Sequence, residues 1–424
     1  MLNLVNHTGT MRTKLTLAFF ALLFTQGLTA QRNCVTHNYQ EQLQANPAIT
    51  ASIEKAEAFA KQYLSSARNS LRTTHTIVKI PVVVHVLYHL PSENISDERI
   101  SQQIQALNLA FRRKNADTIN TPARFANVAA DCEIEFHLAT SDPQRRGTSG
   151  IIRKYTPIKE WKAEDQMKFS AEMGDDAWDA SSYLNIWVCN LRNVAGYASV
   201  PGGPAEKDGI VIGYSVVGNG TQSGFDKGRT AVHEVGHWLG LRHLWGDDYC
   251  GDDGVSDTPP QAVYNAGCPS GIRISCGNAP NGDMYMNYMD FTNDACMNLF
   301  TKGQSQKMNA FFVPGGARNG LTVSKGLSAP LIVQAPLPEE GPRWLQPQLY
   351  PNPSHSEMTL DLSYDVRWIG RSLIVMNMQG QAMAQLIITS KLQPINITSL
   401  SAGIYLLTGK KEDGEAIKIR FVKY

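Results

Sequence analysis

The sequence predicts an α+β protein, a mixed twisted sheet with backing helices followed by a small all-β sandwich. Three stretches predict it. Residues 80–88, Ile-Pro-Val-Val-Val-His-Val-Leu-Tyr, are rich in β-branched residues and read as a strand. Between residues 95 and 113 apolar side chains recur at Ile100, Ile104, Leu107, Leu109 and Phe111 behind Ser96, the pattern of a helix with an N-cap. Beyond residue 347, short alternating runs at 358–363, 372–376, 385–388, 403–407 and 417–422 repeat at the spacing of a β-sandwich.

The chain has 424 residues, enough for two or three domains with cores of their own. Its net charge of +1 gives no electrostatic reason to expect nucleic acid or an anionic membrane as partner. Residues 1–30 read as a secretory signal, with Arg12 and Lys14 before an apolar core and Leu28-Thr-Ala30 as the small-residue exit. That core is too short for a stop-transfer helix, so the mature chain is expected to carry no transmembrane segment. Residues 31–75 are polar and helix-prone and read as a propeptide. A domain is expected over 76–320, a Pro-rich linker over 321–347, and the sandwich over 348–424.

Within the middle domain, residues 133–139 and 183–191 read as further strands. His85 alternates with apolar neighbours and is expected to be a packed core histidine. Gly196-Tyr-Ala-Ser-Val-Pro201 is a candidate exposed edge, where unpaired amides can receive a peptide as an added strand; an ordinary surface loop is the other reading.

The chemistry lies in His233-Glu-Val-Gly-His-Trp-Leu-Gly-Leu-Arg-His243. His233 and His237, four apart, project from one helical face and can hold a divalent metal. Glu234 stands where its carboxylate can take a proton from a water at that metal. Gly240 lets the chain leave the helix in a conformation a side chain resists, and the turn brings His243 round as a third ligand. Three protein ligands leave a fourth position open, the mark of a catalytic zinc site. Downstream, Asp252, Asp253, Asp257 and Thr258 form an acidic loop whose oxygens suit calcium.

Seven cysteines are present, and Cys250, Cys268, Cys276 and Cys296 crowd after this helix. They suggest two bridges in an oxidising compartment, with three pairings open. Cys132 and Cys189 sit in apolar surroundings and read as buried thiols. Cys34, in the propeptide, is either a free or pairing thiol or a latency ligand that displaces water from the zinc.

The zinc stretch resembles that of the metzincin metallopeptidases, and the fuller Thr230-Ala-Val-His-Glu-Val-Gly-His-Trp-Leu-Gly-Leu-Arg-His243 is similar to the pappalysin family. The resemblance covers roughly residues 76–313 and implies bridges Cys250–Cys276 and Cys268–Cys296. It implies calcium near the Asp257-Thr-Pro stretch, and Met289, in Asn287-Tyr-Met-Asp290, as the apolar floor beneath the zinc. Family members commonly carry a tyrosine two residues after that methionine, where this chain has Phe291; losing such a donor lowers turnover by about 10²-fold. Relatives favour arginine after the scissile bond, with Asp294 the nearest candidate to receive it. Tyr350-Pro-Asn-Pro353 and Leu400-Ser-Ala-Gly-Ile-Tyr405 resemble the C-terminal sorting domain of type IX secretion, the alternative being a carbohydrate-binding or adhesive sandwich.

The expectation is therefore a zinc endopeptidase of protein and peptide substrates, made as a zymogen. It is exported by the signal peptide and then across the outer membrane, using secretion machinery that reads the C-terminal domain. Its rivals are a weakly active or inactive zinc- and calcium-stabilised surface peptide binder, and an adhesin.

Overall fold

The computed structural model describes residues 34–67, 77–332, 347–362, 366–411 and 416–424. The expected signal segment and most of the Pro-rich linker lie outside them. Polar sequence forms α1 (Thr36–Gln44), and alanine-rich sequence forms α2 (Pro47–Ala67). The β-branched run then becomes β1 (Val78–Tyr88), followed by α3 (Asp97–Phe111), whose first turn is capped by Ser96 accepting from the Arg99 amide. A short α4 (Ala123–Ala126) and β2 (Ala129–Ala130) lead to β3 (Ile134–Leu138), β4 (Ile151–Tyr155), β5 (Leu184–Cys189), β6 (Gly196–Ala198) and β7 (Ile210–Gly213).

β1 is the hub of a six-stranded sheet. It pairs in parallel with β3 and β4 on one side and with β5 on the other; β7 joins β5 in parallel. β6 closes the order, antiparallel to β7, so Gly196–Ala198 of the candidate edge stretch does lie at the end of the sheet, buried rather than exposed. Alternation along β1 explains why its run is apolar on both faces. Ile80, Val82, Val84 and Val86 join the core shared with the helices, while Leu87 joins Trp187, Tyr197 and Val211 on the opposite face. His85 is fully buried, stacked on Trp187, with its ring nitrogens on Asp175 and Asn185. It is the core residue expected of it.

α5 (Arg229–Trp238) packs below the sheet with every residue buried. Arg318 fixes its far end: the guanidinium lies 4.0 Å over the Trp238 ring and pairs with Asp208, which also accepts the Trp238 indole N–H. Beyond it, β8 (Phe300–Thr301) pairs with β2, and α6 (Lys302–Asn309) opens with a capping box from Thr301 and Gln304. The bridges Cys250–Cys276 and Cys268–Cys296 are formed, and Cys132 and Cys189 are buried free thiols.

The C-terminal region is all β. β9 (Gln348–Tyr350), β10 (Glu357–Asp361) and β13 (Leu392–Asn396) make one sheet. β11 (Ser372–Asn377), β12 (Ala382–Ile387), β14 (Gly403–Lys410) and β15 (Ala416–Lys423) make the other. Met358, Leu360, Leu373, Val375, Leu407 and Phe421 share one core between them. This is the expected sandwich. Among the described residues no helix is long and apolar enough to cross a membrane.

Candidate functional site

α5 carries His233 and His237 one turn apart and ends where Gly240 takes φ +82°. The Leu241 amide reaches back to the Gly236 carbonyl, and the reversed chain brings His243 against the helix. A side chain is excluded at Gly240 twice over, because a Cβ there would also lie 2.5 Å from the Phe311 ring.

The three imidazoles converge through Nε2. The separations are 3.1 Å from His233 to His237, 3.1 Å from His237 to His243 and 3.3 Å from His243 to His233. Ligands at about 2.0–2.1 Å around a tetrahedral ion stand about 3.3 Å apart, so the triad fits zinc. The opposite ring nitrogens support the same reading. His233 Nδ1 donates to the Tyr288 carbonyl at 2.7 Å and His237 Nδ1 to the Leu241 carbonyl at 2.9 Å. A carbonyl can only accept, so each ring keeps its proton on Nδ1 and turns the Nε2 lone pair inward. Burial first, and His243 next, lower the His237 pKa to about 3, which keeps that ring neutral for ligation.

His243 Nδ1 is held by Asp247. Burial alone would raise this carboxyl, but the hydrogen bond from His243 and the nearby imidazoles outweigh it and hold it below its ordinary value. Asp247 was one acid among several in the sequence; its orienting role is visible only once the loop folds back. Asp247→Ala is expected to weaken zinc binding by about 10–100-fold with the fold intact, checked by competition with a chelator.

Met289, which the resemblance offers as the floor, is fully buried in the turn that also supplies the Tyr288 carbonyl. A Cβ at Gly236 would meet its sulfur at 2.5 Å, so the glycine between the two helical histidines makes room for it. Gly196 does the same for Glu234: a Cβ there would lie 2.9 Å from Glu234 Cγ. Phe291 packs edge-on against His243, with ring centroids 4.8 Å apart, and against His233 at 5.6 Å. It supplies apolar cover without a hydroxyl.

The N-terminal segment lies across this site. Cys34 Sγ is gathered with the three histidines, their ligand atoms all within 4.8 Å of one another. Thr36 Oγ1 donates to Glu234 Oε2 at 3.0 Å and accepts from the Ala198 amide of β6 at 3.0 Å. Cys34 also bridges in parallel to Gly196 of the same edge strand. His37 faces Asp247 at 3.6 Å, and Glu57 of α2 pairs with Arg242.

Two expectations find no support in the geometry. Asp252, Asp253, Asp257 and Thr258 do not gather as an ion site, because their oxygens are turned to local partners. Asp253 accepts from the Val255 amide and the Thr258 hydroxyl, Asp252 from the Gly254 amide, and Asp257 from Thr301 and the Gly303 amide, tying the loop to α6. Asp294 is fully buried, and its carboxylate accepts from the Lys227 and Arg229 amides. These contacts make it a cap at the start of α5.

Residues 168–313 match the M43 peptidase family model, described as pregnancy-associated plasma protein-A. Residues 348–423 match the secretion system C-terminal sorting domain. An extracellular metalloprotease of Pyricularia oryzae is 43% identical over 289 residues, covering 66% of this chain and 88% of the relative. Among solved structures, Tannerella forsythia mature mirolysin in complex with a cleaved peptide is 50% identical, with TM-score 0.58, covering 58% of this chain and 96% of that one. A Tannerella forsythia promirolysin mutant is 45% identical, with TM-score 0.64, covering 69% and 97%.

Proposed function

We propose, because the chain belongs to the pappalysin (M43) family of metallopeptidases, that it is an endopeptidase held latent by its own N-terminal segment. That it is a secreted zinc metalloprotease of metzincin fold with a type IX sorting tail follows from the family. The endopeptidase specificity, the latency and the domain limits are the further reading. The N-terminal segment lying across the triad, with Cys34 gathered with the three Nε2 atoms and Thr36 bonded to Glu234, supports it.

His233, His237 and His243 would hold the zinc, with Asp247 and two backbone carbonyls fixing the rings. When bound, zinc supplies Lewis acidity that polarises a peptide carbonyl and lowers the pKa of a water towards about 7. Glu234 takes a proton from the attacking water and returns it to the leaving amine. β6 offers its edge amides to the substrate backbone, a place Thr36 and Cys34 take in the zymogen. Release of residues 31–75 then frees the fourth corner, the base and the edge together. Calcium stays outside the proposal, since no contact of the acidic loop calls for it.

The test is a peptide acetylated at its N-terminus and amidated at its C-terminus. The matured enzyme is expected to cut it internally; hydrolysis only of peptides with a free end would contradict the endopeptidase reading.

A further inference from the structure

The face of the sheet opposite the zinc helix carries a socket that the proposed mechanism does not use. Lys168 has no exposed side-chain surface. Its Nζ lies 2.8 Å from Asp165 Oδ1 and donates to the Lys207 carbonyl at 2.8 Å. The same ammonium stands 5.0 Å from the ring centroids of Tyr39 and Tyr197 and 5.4 Å from that of Trp187. Asp165 is held at φ +65°, a left-handed conformation that is uncommon for a residue with a side chain. Into this socket α1 inserts Tyr39. Its hydroxyl donates to Asp165 Oδ2 at 2.8 Å, and its ring sits 4.8 Å from that of Tyr197.

A buried ion pair is a poor source of stability, and well-packed apolar residues would serve a plain core as well or better. Here the pair and the aromatic walls Tyr197 and Trp187 all meet at one side chain of the segment that is to be removed. We propose that this socket is a second substrate-binding site of the matured enzyme, taking the side chain of a tyrosine in a protein substrate. The proposal rests on the reading of residues 31–75 as a removable prosegment.

When Tyr39 departs, Asp165 Oδ2 keeps only Lys207 Nζ at 3.4 Å and regains room for a hydroxyl donor. Tyr197 and Trp187 then present an aromatic wall beside the Lys168 ammonium. The occupant must be aromatic to fill the walls, neutral to stand beside both charges, and tipped with a donor to satisfy the carboxylate. Tyrosine meets all three conditions. Phenylalanine leaves Asp165 Oδ2 with the 3.4 Å contact to Lys207 and no hydroxyl donor, and a buried acceptor that loses its donor discriminates against the analogue lacking it. Tyr39 follows the metal-facing Cys34 by five positions (39 − 34), so a substrate seated at the triad reaches the socket with a few residues.

The experiment uses the matured enzyme and a peptide series sharing one cleavage sequence. A single tyrosine is walked outward from the cut bond, and each peptide has a phenylalanine twin. At one register the tyrosine peptide is expected to show a KM about ten-fold lower than its twin with kcat unchanged, and Asp165→Asn to remove the difference. The comparison on wild-type enzyme stands even if that variant does not fold. Equal KM for every tyrosine and phenylalanine pair would overturn the socket. N-terminal sequencing of the active species separates the two failures. If Tyr39 is still attached, the prosegment reading falls and the socket with it; if it is gone and the pairs are equal, the socket alone falls.

Discussion

Glu234→Ala is expected to leave zinc bound and to abolish cleavage of protein substrates. The carboxylate is not among the converging nitrogens, so its removal leaves the triad, the Asp247 support and the two carbonyl contacts in place. What disappears is the carboxylate that Gly196 makes room for beside the edge strand, and with it the path of the proton from water to amine. General-base catalysis contributes about 10²–10⁴-fold, and here the same group also serves as the acid, so the loss stands at the upper end. Metal analysis and a cleavage assay on one preparation check both halves. Wild-type turnover in this variant would refute the role of Glu234.

The second large effect is expected at Cys34. In the full-length chain the thiol lies beside the triad, its Sγ and the three ligand nitrogens all within 4.8 Å of one another, while Thr36, His37, Tyr39 and Glu57 hold the segment down through Glu234, Asp247, Asp165 and Arg242. Burial, and then the Glu234 charge, push the Cys34 thiol up; a cation at the triad reverses this, because a coordinated thiol is deprotonated outright. Cys34→Ala opens the corner and leaves the other contacts. The full-length variant is expected to hydrolyse a small blocked peptide and to process itself faster than wild type, whose full-length form stays silent. Equal silence in both, read before any N-terminal cleavage, would show that latency does not pass through the thiol.

Much of this was legible because the chemistry is local. Two histidines four apart, a glycine three residues later and a third histidine state their geometry within eleven positions. The strand at 80–88, the helix behind Ser96 and the alternating tail are also carried by short-range patterns. What the sequence hid depends on contacts made at a distance. Asp294 entered as a pocket candidate through the resemblance, and no local pattern showed that the fold sets its carboxylate under the start of α5. The acidic loop had the composition of a calcium site, but composition does not say where carboxylates point. Thr36 meets Glu234 across 198 residues, and no spacing rule reaches that far. Gly236 and Gly196 look like any glycines until Met289 and Glu234 are seen against them.

The central claim is that three imidazoles hold a zinc ion on which hydrolysis depends. Metal analysis of the matured enzyme, followed by chelation and re-addition, tests it most directly. The account predicts about one zinc per chain, loss of peptide hydrolysis as a strong chelator removes it, and recovery when zinc is restored. An active enzyme that contains no metal, or one whose hydrolysis survives complete chelation, would contradict it.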